Sequence, residues 1–493
     1  MNNFNLIDQP WIPIRWLNSA TDNPTLVSLH DAFTRAHEIA DLDCLPHERI
    51  ALTRLLVCIA HAALGIPGDA EDWLDIDFGH DLQSTAPSYL QREDIHPHFN
   101  LLGDGPRFLQ SRAKFSSTDV GYPLSKISFH LSSGNNPKLL DHWGEDPRPW
   151  TESAAALTLL CLQNFFVGGS MASKVKGNGP ALNNLQMLLL GGNLAQTILR
   201  NCLDAEVLES SGNGLGSPSW ESKADTQLLS RLSPTPCDLW LTDDLKRIYI
   251  DNGTQQPKYP AYRDPYATIE PLKDNKDRLL RAKPSQGIWR DLPLLTNINK
   301  AKGQNAALNL QAFNARNEAE ETTQLWVGEL IKGEKATIKD NVESTFTIPA
   351  QLFTDEGRNV YSQGIKHAEA VSMNLWGAIN EYGRQLGQKK RSSGEGQKHY
   401  WHTLDQEHRK LIAMSATPVN YLTQIGSEHA NDPWTLSVRQ AARQAYDAVC
   451  PRTTPRQIQA YTAGIKPLLR ALFPKEKPPK GAKPQSTQAN LNL

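Results

Sequence analysis

From His367 to Phe473 the sequence carries four helix-length segments in succession, and no other feature constrains the fold as tightly. They read "HAEAVSMNLWGAINEYGRQLG", "DQEHRKLIAMSATPVNYLTQIG", "PWTLSVRQAARQAYDAVC" and "PRQIQAYTAGIKPLLRALF". Each has apolar residues at helical spacing, with proline or glycine punctuation between segments. A helix with one apolar stripe must bury it, and four such helices joined by short loops bury theirs against one another. The chain ahead of His367 is patterned differently. The expected fold class is therefore α+β: a large mixed α/β domain over residues 1–366, then a four-helix bundle over residues 367–475. Residues 476–493 lack an apolar stripe and are expected to form a mobile tail.

Within the first domain, "FNLIDQPWIPIRW" alternates apolar and polar residues and predicts a strand. "TLVSLHDAF" predicts a short strand followed by a helix start, and Ile50 to Leu64 a helix. Pro67 to Pro149 is rich in Pro, Gly, Asp and His and predicts loops with short strands. Thr151-Glu152-Ser153 is cap chemistry ahead of the apolar run Ala154 to Val167. Trp240 to Ile269 predicts strands joined by an Asn252-Gly253 turn. "TQLWVGELIKGEKATIKDNVESTFTIP" predicts further strand.

Hydrophobic residues are 39% and charged residues 21% of the chain, the balance of a soluble globular protein. No segment approaches the roughly 18–20 apolar residues of a membrane span. The N-terminus has no signal-peptide pattern. The six cysteines are scattered without a CxxC pair. These features predict a cytoplasmic protein with no membrane partner, no cysteine-based zinc site and no cofactor. The formal net charge is −2, so any contact with nucleic acid must rest on local basic patches or on partner subunits.

The apolar run ends in "FFVGGSMASKVKGNGPALNN", Phe165 to Asn184, which turns at once glycine-rich and basic. A phosphate cradle and a bare backbone surface against nucleic acid are the two functional readings. A Walker loop needs GxxxxGK[ST], and Gly169 has no glycine at the required position. Gly177-Asn178-Gly179 lacks the third glycine of a dinucleotide fingerprint. The phosphate cradle is therefore unsupported, and by pattern alone an ordinary glycine cap followed by a surface loop is the favoured reading. "HPH", His96 to His98, has no evident further ligands and reads as a loop. "DHW", Asp141 to Trp143, has no nucleophile to serve. "KDNKDRLLRAK", Lys273 to Lys283, is basic, as is Lys389-Lys390-Arg391. A basic run is usually a solvated face. The nearby Tyr259, Tyr262, Tyr266 and Trp289 tilt this one toward nucleic acid.

The opening segment, the stretch "HLSSGNNPKLLDHW", the glycine-lysine stretch and "DEGRNVYSQGIKHAEA" occur in an order that resembles the large subunit of the type I-E CRISPR Cascade complex, the CasA family. The resemblance covers the chain up to about Phe473. It implies a subunit without catalytic activity of its own, working with crRNA and the other Cascade subunits. Such a subunit reads a short protospacer-adjacent motif (PAM) in double-stranded DNA through the minor groove, starts strand separation, and docks the helicase-nuclease. The minor groove is narrow, about 6 Å, so bare glycine backbone can approach base edges where side chains obstruct.

Matched to the family pattern, Gly168 and Gly169 are the glycine loop, with Lys174 and Lys176 toward phosphates. Lys258 is the lysine finger. Arg358, Asn359 and Val360 fall at the wedge, where the family carries glutamine. Lys389, Lys390 and Arg391 are expected at the displaced strand. The cysteine cluster that some members carry before the lysine finger is absent, so no metal is expected. Two other readings stay open: a metal-dependent nucleic-acid-processing enzyme, which needs a carboxylate cluster or a nucleophile–histidine set, and a purely structural scaffold subunit.

Overall fold

The structure is a computed structural model. It describes residues 4–474 apart from 19–24, 75–77, 113–114, 116–118, 120, 130–149, 170–176, 224, 274–275, 284, 300–304, 317–320, 334–337, 389–391, 422–424 and 428. The chain divides into two compact units, residues 1–350 and 351–493.

The first unit is built on two helices that are apolar nearly all round and are accordingly enclosed. Pro46–Leu64 has proline at its start and the Leu45 amide bonded to the Glu48 carboxylate at 2.9 Å. From Ile50 to His61 every residue is buried. Glu152–Phe165 starts at Thr151, whose side chain accepts from the Ala154 amide at 3.3 Å, as the cap sequence predicts.

Among the described residues, three three-stranded antiparallel sheets accompany these helices. Ile12–Trp16 lies between Thr25–Val27 and Ile39–Leu42. The long strand Thr322–Lys332 lies between Gln186–Leu190 and Ile338–Pro349. Arg247–Asn252 lies between Tyr122–Pro123 and Cys237–Leu241. A short pair, Ile269–Pro271 with Asp277–Leu279, stands apart.

Two local expectations are corrected. The stretch expected to be loops and short strands contains the helix Phe78–Leu90, whose internal Pro87 conceals it in the sequence. The Asn252-Gly253 pair is not the hairpin turn. Leu241 pairs with Ile248, so the chain reverses at residues 242–246, with Leu245 at a φ of 51°.

In the second unit the helices Asp355–Gln385, Ser393–Ser415, Pro433–Val449 and Pro455–Leu472 follow in order. The first begins twelve residues ahead of His367. Thr354 caps it, accepting from the Gly357 amide at 3.2 Å. Its opening turns are polar and glycine-bearing, so they carry no apolar stripe to read. Buried aromatics lock the bundle through their polar tips: Trp434 donates to the Gly364 carbonyl at 2.9 Å and Tyr400 to the Ala368 carbonyl at 2.9 Å. Gly464 permits a close approach of helix to helix, because a β-carbon there would meet the Ala378 carbonyl oxygen at 2.6 Å and the Tyr446 hydroxyl. Among the described residues, no helix is long and apolar enough to cross a membrane.

Gly464→Val is expected to destabilise the helical unit by roughly 1–3 kcal/mol through overpacking against backbone. Thermal unfolding of the full chain followed by circular dichroism measures it. An unchanged transition would mean that the helices are not held this close.

Candidate nucleic-acid interface

The glycine-rich segment leaves the buried helix Glu152–Phe165 through a closed neck. The Gly168 amide donates to the Asn178 side chain at 2.9 Å, and the Gly179 amide to the Phe166 carbonyl at 2.9 Å. The Ala181 amide donates to the Asn164 carbonyl at 3.1 Å. Gly179 lies so close to the helix end that a β-carbon would meet the Phe165 nitrogen at 2.6 Å and the Asn164 carbonyl. Gly169 stands on the other side of the neck, exposed, with a φ of 81° and open space where a β-carbon would point. The sequence's turn to glycine therefore has two causes: packing at Gly179, and a left-handed exposed backbone at Gly169.

Lys258 sits on a turn closed by the Tyr262 amide donating to the Lys258 carbonyl at 3.3 Å. Its side chain is exposed and has no carboxylate partner among the described residues. The buried Arg231 guanidinium lies beneath this turn, donating to the Gln256 side chain at 3.0 Å and the Pro257 carbonyl at 2.9 Å. It also stacks on the Tyr262 ring at 3.7 Å. Deeper still, Arg54 from the helix Pro46–Leu64 pairs with Asp264 at 2.9 Å and donates to the Arg231 carbonyl at 2.8 Å.

The loop neck and the Lys258 turn line one cleft of about 490 Å³. Asn178, Gly179 and Pro180 form one side, Lys258 and Tyr259 another, and Arg278 and Arg281 a third. The Arg281 side chain donates to the Asn183 carbonyl at 2.9 Å, tying the basic strand to the chain leaving the neck. Part of the basic run is neutralised: Arg278 pairs with Glu270 at 2.7 Å, and Lys283 lies 3.8 Å from Glu270. Behind this lip the buried Glu329 accepts from the Ala282 amide at 2.6 Å. Burial pushes its carboxyl up to about 7, against the pull of that amide and of the Arg281 charge.

Residues 5–445 match the family model described as CRISPR-associated protein Cse1. The chain belongs to the Cse1 family. A CRISPR-associated protein CasA/Cse1 from Thermus thermophilus is 27% identical over 489 residues, covering 91% of this chain and 92% of that protein. A crystal structure of CasA from Thermus thermophilus is similar with a TM-score of 0.75 at 23% identity, covering 96% of this chain and 99% of the other. A chain in a structure described as a CRISPR RNA-guided surveillance complex matches with a TM-score of 0.74 at 17% identity, covering 95% of this chain and 99% of the other. The resemblance to the large subunit of type I-E Cascade thus holds at the level of the family, and the α+β architecture is shared with solved Cse1 folds.

Of the residues expected from the Cse1 pattern, Gly168 and Gly169 at the neck and Lys258 at the cleft belong to one region. Lys174 and Lys176 lie outside the described residues, as do Lys389, Lys390 and Arg391, the whole of the stretch "HLSSGNNPKLLDHW" and residues 476–493. The residues matched to the wedge fall on a helix. Arg358 and Val360 are buried within the first turns of the helix Asp355–Gln385, and Arg358 is tied to Asp355 and to the Phe353 carbonyl. Only Asn359 of the three is exposed.

The aromatic residues near the basic run are also corrected. Tyr262, Tyr266 and Trp289 are core residues, not stacking platforms, because their faces are already packed. His96 sits in a short 3-10 turn against Asp8 at 2.9 Å. No group of three or more His, Cys, Asp or Glu among the described residues is placed to hold a metal ion. Sequence reasoning missed Arg231 and Glu329, which carry no local motif.

Glu329 yields a pH test. Its folded carboxyl titrates above the ordinary carboxylate range, so the folded chain keeps a proton that the unfolded chain has released. Stability therefore falls as pH rises from the ordinary carboxylate range to about 7. Glu329→Gln is expected to match the parent near pH 5 and to exceed it near pH 8 by on the order of 1–3 kcal/mol. Melting curves across pH measure this, and a constant offset between the two proteins would contradict the titration.

Proposed function

We propose that the chain is the motif-reading large subunit of an RNA-guided surveillance complex in the cytoplasm. It acts beside crRNA and the other Cascade subunits on double-stranded DNA, and it has no catalytic step of its own. What carries this reading is the single cleft shared by the glycine-loop neck and the Lys258 turn. Exposed Gly169 backbone offers an approach to the minor groove without a side chain in the way. Lys258 has no internal carboxylate to hold it back among the described residues, so its ammonium is available to groove acceptors or phosphates. Arg281, across the cleft, suits a flanking phosphate. Lys174 and Lys176 extend the same basic loop, and Lys389 to Arg391 remain the segment offered to the displaced strand.

In this reading, strand separation begins where the motif is gripped, and the separated target then pairs with guide RNA. The burial of Arg358 and Val360 favours another residue as the parting element. Asn359 is the one residue of that group still offered to DNA. Docking of the helicase-nuclease belongs to the same proposal, as a surface made available after target binding.

Gly169→Asp adds a side chain and a negative charge at the groove approach. It is expected to lower duplex affinity of the assembled complex by about tenfold or more while leaving assembly intact. Gly169→Asn, a residue that tolerates the left-handed backbone, separates charge from strain. Gel-shift titration at fixed salt measures both variants. Wild-type target binding by Gly169→Asp would remove the glycine loop from the interface.

Lys258→Ala is expected to weaken a closed duplex and a target pre-opened beside the motif alike, because motif contacts are made in both. Loss confined to the closed duplex would instead assign Lys258 to strand opening.

A further inference from the structure

We infer that Arg231 is the positioning residue of the lysine finger, holding the Lys258 turn from beneath at both ends. The inference rests on the reading of Lys258 as a motif-contacting residue. Arg231 belongs to the short helix Leu228–Leu232 and is 4% exposed. No carboxylate among the described residues forms an ion pair with it: Asp264, already paired with Arg54, attracts it from further off, and burial still holds its guanidinium below the ordinary arginine range. A buried cation without an ion-pair partner is costly, and an apolar side chain of similar length would fill the space at lower cost.

The arrangement around Arg231 accounts for the charge. Its Nη1 donates to both the Gln256 side chain at 3.0 Å and the Pro257 carbonyl at 2.9 Å, the two residues immediately before Lys258. Its flat face stacks at 3.7 Å on Tyr262, the residue that closes the turn. One planar group thus fixes where the turn starts and where it ends, a task suited to guanidinium and not to a flexible ammonium. The Gln256 amide is itself held, donating to the Asp225 carbonyl at 3.2 Å. Arg231 is anchored in turn, because its carbonyl accepts from Arg54 at 2.8 Å. The glycine-loop neck joins the same assembly: Gly177 lies against Gln255, whose side-chain nitrogen a β-carbon there would meet at 2.8 Å. The backbone from which Lys258 projects is therefore located relative to the glycine loop by Arg231, which narrows the region its ammonium can reach, and preorganised groups discriminate better than mobile ones.

The test uses the full chain assembled with its guide-RNA subunits and a pool of target duplexes whose short flank is randomised. The quantity read is the ratio of affinities for the flanks most and least favoured by the parent. Arg231→Met is expected to keep the melting temperature within a few degrees and to lower that ratio by about tenfold. Gln256→Ala removes one of the two acceptors of Arg231 while leaving the guanidinium itself in place, and is expected to lower it in the same direction by about threefold. In a Lys258→Ala background both changes are expected to have no further effect, since positioning acts only through the positioned group. If Lys258→Ala leaves the ratio unchanged, the lysine-finger reading fails and the inference falls with it. If Lys258→Ala lowers the ratio but Arg231→Met and Gln256→Ala do not, or lower it additively with Lys258→Ala, the finger stands and Arg231 is only a core residue.

Discussion

The pair of Arg54 and Asp264 is the constraint on which the first unit depends. The two residues are 210 positions apart, both are buried, and their charges meet at 2.9 Å. Arg54 also reaches Gln186 at 3.2 Å and the Arg231 carbonyl at 2.8 Å, while Asp264 accepts from the Tyr266 amide at 3.1 Å. A single side chain from the central helix thereby registers a sheet strand, a short helix and the segment carrying Lys258. Such a network adds little net stability, because desolvation offsets most of the attraction. Removing one member nonetheless costs about 3–5 kcal/mol, because it strands the other charge in the core. What it provides is uniqueness: other packings of the same apolar surface leave a buried charge unpaired.

The helices were legible because burial leaves a periodic trace in the sequence. Pro46–Leu64, Glu152–Phe165 and the later bundle helices announce themselves in this way, and Thr151 marks its helix start by chemistry alone. The misses have an equally local cause. Pro87 hides Phe78–Leu90, and the polar opening turns of Asp355–Gln385 look like a linker. Arg358 reads as an exposed basic residue until its bonds to Asp355 and Phe353 are seen. Arg231 and Glu329 could not be found at all, since what distinguishes each is a neighbour far off in the chain and an absence of water.

The same distinction governs the site. Resemblance identified the glycine loop and Lys258 as separate features, and spacing along the chain provides no reason for them to meet. The cleft unites them because the neck is stitched to the end of one buried helix while the Lys258 turn rests on Arg231 and, through it, on another. Charge is handled locally in a chain whose formal net charge is only −2. Arg278 and Lys283 are partly offset by Glu270, whereas Lys258 is left without such a partner among the described residues. Selective neutralisation concentrates the field at few positions, which favours recognition over general adhesion to polyanions.

The closed neck divides two demands on the chain. Gly168 is bonded directly to Asn178, and Phe166 to Gly179, so the ends of the intervening segment are fixed independently of what it contains. Loop-closure entropy changes only slowly with length. Changes of sequence or length at residues 170–176 are therefore expected to leave the helix Glu152–Phe165 in place. Fold and surface are thereby separable at this point of the chain: the socket answers to packing, and the segment it holds answers to whatever it meets.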